Sequence, residues 1–223
     1  RNYFCYSHTL DFKVEIKYMR NNKIFYRILK LDKNVYNELI VESSSLQRAV
    51  VIWIASYLIS VLAIFTLFRD FTNFLKNNLS LIATGLPEQS VLELINVISA
   101  LEATFSSETT FTDLITTLGT GIVSSLIGIS FIFVVSKYLF RKEPNLTDII
   151  IIFGFASVTG LLNVPILFIN SFGFKIAILF LASIYSLVCL GSGLKQVYFL
   201  RNIEIIILVL GSSIVSSFLL QGF

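Results

Sequence analysis

The chain has 223 residues, of which 55 % are hydrophobic and 14 % charged, with a formal net charge of +3. Soluble domains carry about 25 % charged residues, so this chain has too little charge to cover a water-facing surface of its size, and its charges fall between long apolar runs; bilayer is the expected solvent. One histidine, His8, and two distant cysteines, Cys5 and Cys189, leave no material for a metal centre or a histidine-based triad and argue against a disulfide.

Residues 1–47 contain no long apolar core, so no signal peptide is expected there. The only methionine, Met19, opens the run Met19-Arg20-Asn21-Asn22-Lys23, which reads as a natural start. Residues 1–18 then read as an upstream extension, or the chain as a fragment. From residue 20 the basic residues Arg20, Lys23, Arg27, Lys30 and Lys33 interleave with Ile24, Phe25, Ile28, Leu29, Val35, Leu39 and Ile40. Steps of three and four residues predict a basic amphipathic segment lying on anionic lipid, or a simple topogenic flank. Those five cations are the candidate contacts for lipid or a partner. Asp32 is placed to cap a helix running over Asn34–Ser43.

The first span is expected over Ala49–Phe68, closed by Arg69 and Asp70, with Trp53 and Tyr57 near one interface. Twenty apolar residues at about 1.5 Å each cross a hydrocarbon core of about 30 Å. Residues 69–113 form a long outside connection. Pro87 begins a short amphipathic helix within it, with Val91, Leu94, Ile95, Ile98 and Leu101 at helical spacing. A second span is expected over Leu114–Val135, and Pro144 then breaks the chain. The third, over Ile149–Ile169, starts at Thr147 and Asp148 and is kinked by Pro165. The fourth runs over Phe174–Leu190 and ends at a turn, Gly191-Ser192-Gly193 before Lys195; the fifth covers Ile203–Leu220. The fold class that follows is an all-α membrane protein, a bundle of about five transmembrane helices (residues 48–223) behind a short amphipathic N-terminal segment (residues 1–47).

Lys and Arg placement sets the orientation. With the N-terminus in the cytosol, 14 of the 17 basic residues lie inside, all but Arg69, Lys76 and Lys175. The C-terminus is then outside, in a plasma membrane or an organelle membrane.

No catalytic, metal or cofactor-binding residue is expected. The serines have no histidine or acid at a motif spacing, and Gly191-Ser192-Gly193 lacks the partners of a phosphate loop. From residue 114 onward Asp148, Lys175, Lys195 and Glu204 fall at span ends, which argues against a proton-coupled carrier but leaves a passive channel open. Lys195 and Glu204 are placed to pair across a short turn. Asn163, two residues before Pro165, is the polar residue of most interest within a span. It marks either a satisfied kink or a helix break lining a cavity. Small residues four apart, Gly121 and Ser125, Ser124 and Gly128, Ala156 and Gly160, Ser212 and Ser216, predict close helix approach or a homo-oligomer.

Several stretches resemble the Ypt-interacting-protein (Yip) domain family, especially its bacterial and archaeal branch. They are Leu31-Asp32-Lys33-Asn34-Val35-Tyr36-Asn37-Glu38-Leu39, Phe153-Gly154-Phe155-Ala156-Ser157 before Pro165, and Ile184 to Tyr198 with Gly191, Gly193 and Lys195. The resemblance implies a five-helix membrane domain with a cytosolic N-terminus. It also implies a non-enzymatic role in organising membrane or recruiting other membrane proteins. The chain lacks an Asp-Leu-x-Gly-Pro motif, so a Rab-type GTPase partner is not expected, nor is nucleic acid. The competing expectations are a small transporter or channel, its path passing Asn163, and an accessory subunit docked through its acidic outer loop.

Overall fold

A computed structural model describes residues 23–32, 34–105 and 111–221. All regular structure among them is helical. Helix α1 covers residues 23–29, α2 Val35–Val41, α3 Ser45–Asn77, α4 Leu79–Ile82 and α5 Glu88–Phe105. Then come α6 Phe111–Tyr138, α7 Leu146–Ala156 continued by a 3-10 helix Ser157–Leu167, α8 Phe172–Tyr198 and α9 Asn202–Gln221. Four stretches are long and apolar enough to cross a bilayer: Ser45–Asn77, Ile115–Tyr138, Leu146–Leu167 and Phe172–Tyr198. Helix α9 adds a further 20-residue apolar rod. The protein is thus a multi-pass integral membrane protein built as an all-α bundle of about five apolar helices.

The third span is the hub. Its most apolar stretch is 56 % buried, against 22 % in each of the other three. It packs on α3 and α8, and two glycines permit the approach to α3. A methyl group added at Gly154 would lie 2.5 Å from the Ala49 carbonyl oxygen, and one at Gly160 would lie 3.0 Å from Ser56 Cβ. With no hydrophobic drive between helices in lipid, such backbone contact supplies the packing. Helix α9 packs chiefly on α6. There Ser216 Oγ donates to the Ser124 carbonyl at 3.0 Å, over Gly128.

Helix ends differ from the sequence expectation where packing decides them. Helix α3 runs on to Asn77 because its outer turns are covered. Phe105 of α5 stacks on Phe68 at 4.6 Å, and Lys76 pairs with Glu102 at 2.6 Å. The amphipathic helix expected after Pro87 is α5, its Ile98 buried. Helix α7 is capped by Asn145, whose side chain accepts the Thr147 N–H at 3.1 Å. The turn expected at Gly191, Gly193 and Lys195 is absent, and α8 continues through all three to Tyr198. These glycines are packing residues: a methyl group would meet Ile205 at Gly191, and Ile152 and the Tyr36 ring at Gly193. The helix stops instead at Phe199, left-handed at φ 50°.

The described part of the N-terminal head, from residue 23, does not lie apart from the bundle. Its apolar face, Ile28, Val35, Tyr36 and Leu39, is buried against α7 and α8. The Tyr36 hydroxyl donates to the Cys189 carbonyl at 3.2 Å, and the Tyr185 hydroxyl donates to that of Leu29. Gln196 ties the head from the other side, its Nε2 donating to the Asp32 carbonyl at 2.9 Å. Burial pushes the Tyr36 hydroxyl well above its ordinary pKa, so it stays protonated and donating. Asp32 accepts the Asn34 N–H at 3.0 Å, but the residue at the helix N-cap is Asn34, so Asp32 closes the turn before α2 and is not the cap expected of it.

Arg27 clamps the head internally. It bonds Asp32 at 2.6 Å through Nε and Glu38 at 2.6 and 2.8 Å through its two terminal nitrogens. The guanidinium holds both carboxyls below the usual carboxylate range. The folded head therefore binds fewer protons than an unfolded one. Its clamp is fully present at neutral pH and weakens as the pH falls below about 4. Arg27→Gln is expected to speed amide hydrogen exchange over residues 23–41 at pH 7. As the pH is lowered below the carboxylate range, after correction for intrinsic rates, the gap between variant and parent should narrow; equal rates at pH 7 would refute the clamp.

A hydroxyl-lined cavity at the break in the third span

Pro165 sits inside the 3-10 stretch and has no N–H to return to the carbonyl one turn back. The 3-10 run is 11 residues long, where such helices rarely exceed about four. At the start of this stretch two hydroxyls bond back to the backbone: Ser157 Oγ donates to the Gly154 carbonyl at 2.6 Å and Thr159 Oγ1 to that of Ala156 at 3.0 Å. Asn163 is 4 % exposed and donates through Nδ2 to Ser60 Oγ at 3.0 Å. The Ser60 hydroxyl is in turn committed to the Ser56 carbonyl at 2.9 Å. Two polar atoms are left over. Asn163 Oδ1 and Ser56 Oγ are buried and have no hydrogen-bond partner among the described residues.

Both residues line a cavity of about 280 Å³ between α3, α6, α8 and the third span. Ser60, Ser125, Ser157, Thr159, Ser183 and Ser186 add hydroxyls, while Trp53 and Phe153 supply an apolar wall. Trp53 is 7 % exposed and meets Phe153 edge-to-face at 5.6 Å, so it faces the bundle and not the lipid. Tyr57 turns toward α6 and donates to the Thr117 carbonyl at 3.4 Å. It forms a wall shared with a second polar cavity of about 370 Å³, lined by Thr116, Thr117, Thr120 and Ser124. Gly121 makes room for it, since a methyl group there would overlap the Tyr57 hydroxyl.

The cavity lies at mid-depth. Arg48 and Asp70, at the two charged ends of α3, are 22 residues apart, about 33 Å at about 1.5 Å per residue. That is close to the hydrocarbon thickness of about 30 Å. Ser56 and Ser60 fall about 12 and 18 Å from Arg48 on the same rise. No charged side chain lines either cavity, so the site offers neutral donors and acceptors only. Among the described residues no group of three or more His, Cys, Asp or Glu side chains could hold a metal ion.

Of the residues singled out from sequence, Asn163 lines this cavity, together with Trp53, Tyr57, Ser125 and Gly160, while Pro165 lies two residues beyond Asn163 and outside the lining. Lys23 and Lys30 are exposed on the head, Lys30 over the Tyr26 ring at 4.4 Å. Arg27 is held internally, and Arg20 and Lys33 lie outside the described residues, as do Cys5 and His8. Lys195 reaches Asn202 at 2.8 Å, and Glu204 accepts the Arg201 N–H, so the two do not pair. Sequence reasoning missed Ser56 and Ser60. Their signal was two hydroxyls one turn apart in an otherwise apolar span. No known protein family, curated protein or solved structure matches the chain.

Proposed function

We propose that the chain is a non-enzymatic membrane protein that binds a small uncharged polar solute in the Asn163 cavity and lets it cross. The carrying observation is the pair of orphaned buried atoms, Asn163 Oδ1 and Ser56 Oγ, on two residues that line a polar cavity at mid-depth. An unsatisfied buried polar group costs about 1–3 kcal/mol, and irregular backbone at membrane depth is tolerated where it lines a polar space. A neutral solute with both a donor and an acceptor would satisfy both atoms. The lack of lining charge fits passive movement without proton coupling. The second cavity, across Tyr57, extends the polar track along α6. We read the loops carrying Arg141, Lys142 and Arg201 as cytosolic, which puts the head inside. Recruitment of a partner by the basic head has less support, because Arg27 is already engaged.

Proteoliposomes containing the protein should swell faster than empty ones in a gradient of urea or glycerol, followed by light scattering. Asn163→Leu should slow the solute-driven phase by about tenfold, the equivalent of one lost hydrogen bond. Swelling no faster than in protein-free vesicles with either solute would overturn the reading.

A further inference from the structure

Because α9 leans on α6, it leaves a groove of about 480 Å³ between itself and α8. The groove walls are apolar and outward-facing. Ile184 and Val188 are each 44 % exposed, Ile206 is 55 % and Leu210 is 49 % exposed. One end is polar, where Ser192, Lys195 and Asn202 line it, Lys195 Nζ donating to Asn202 Oδ1 at 2.8 Å. From Lys195 back to Ile184 is 11 residues of α8, about 16 Å along the axis. That is the depth of one leaflet, half of a hydrocarbon core of about 30 Å.

The charge at the polar end is one-sided. Lys137, Arg141, Lys142, Lys195 and Arg201 gather at this face of the bundle, and Lys142 Nζ reaches the Phe199 carbonyl at 3.5 Å, tying the two loops together. The acids of these helices and loops at the same face are Glu143, Asp148 and Glu204, with Glu204 occupied by the Arg201 N–H at 2.8 Å, and those of the docked head, Asp32, Glu38 and Glu42, are paired with Arg27 and Arg48. Lys195 keeps two ammonium protons after its bond to Asn202. Phe199, 81 % exposed at the loop, adds an aromatic ring at headgroup level.

We propose that this groove is a binding site for one anionic phospholipid. One acyl chain lies along α8 and α9, and Lys195 and Arg201 hold the phosphate. An apolar slot one leaflet deep, closed by cations at its interfacial end, matches that molecule in length and in charge. A zwitterionic lipid would fill the slot equally but gain little from the cations.

The test is lipid binding by native mass spectrometry and by thermal stability, comparing phosphatidylglycerol and phosphatidylcholine with the same acyl chains. Phosphatidylglycerol should bind more tightly and raise the unfolding temperature more. The exposed double variant Lys195→Gln, Arg201→Gln should weaken phosphatidylglycerol by about thirtyfold and erase the preference, without altering elution from gel filtration. Val188→Trp, which fills the slot from an exposed position, should remove the tightly bound lipid while leaving the cations in place. Inorganic phosphate should give no stabilisation. Equal binding of the two lipids by the parent protein would overturn the proposal, as would a phosphatidylglycerol preference that survives both variants, or stabilisation by phosphate alone.

Discussion

Asp70→Asn is expected to lower the stability of the bundle by about 3 kcal/mol, near the lower end of the cost of breaking a buried pair. Lys175 Nζ lies 2.5 Å from Asp70 Oδ2, with the lysine side chain 3 % exposed and the aspartate 27 %. Phe172 stacks on Phe71 at 5.5 Å beside it. Neutralising the carboxylate would leave an ammonium enclosed by apolar side chains, and ion desolvation in such a place costs several kcal/mol. Lys175→Met should cost less, because the stranded carboxylate keeps some contact with water. The double variant Asp70→Leu, Lys175→Met should recover much of the loss, since a buried pair replaced by apolar groups is often neutral. Unfolding by dodecyl sulfate in mixed micelles measures all three. An Asp70→Asn variant within about 0.5 kcal/mol of the parent, the range of ordinary surface changes, would mean that the pair does not lock α3 to α8.

Gly154→Ala should cost about 1–3 kcal/mol, the usual penalty for overpacking a tight contact. The added methyl would sit 2.5 Å from the Ala49 carbonyl oxygen and 2.7 Å from its carbon. Backbone atoms cannot rotate aside, so α3 and the third span must separate. Gly128→Ala is the graded comparison. Its nearest neighbour is Ser216 Oγ at 3.1 Å, a hydroxyl that can turn, and the cost should be smaller. Gly119→Ala meets nothing within 4 Å and should be neutral or slightly stabilising, as alanine is the better helix former. If all three glycine variants unfold alike, close backbone packing is not what holds the hub.

The spans were legible in the sequence because hydropathy is a local property: a run such as Ala49–Phe68 declares its solvent without reference to anything else. The break at Asn163 and Pro165 was legible for a similar reason, since a missing N–H is a fact about one residue. The cavity beside it was not. Ser56 and Ser60 could face lipid, a neighbour or their own backbone, and only the position of the third span decides among these. The end of α8 was misjudged because Gly191 and Gly193 look like turn formers, whereas their role is to admit Ile205 and Tyr36. The docking of the head was likewise out of reach. Its partners Cys189 and Gln196 lie 153 and 160 residues downstream of Tyr36, and no local pattern records a contact at that distance.

That separation has a consequence for biogenesis. Tyr36 leaves the ribosome well before the carbonyl it bonds, which belongs to a helix made 153 residues later. At about 5–20 residues per second, 160 residues of synthesis leave the head waiting for about 8–32 s. The head is thus a clasp that cannot fasten before α8 is made. Its closure reports that the first and fourth apolar segments have been inserted with their matching ends on the same side of the bilayer. A chain threaded with α8 inverted would keep Ile28, Tyr36 and Leu39 uncovered, in the form of a loose apolar flap that quality-control proteases could seize.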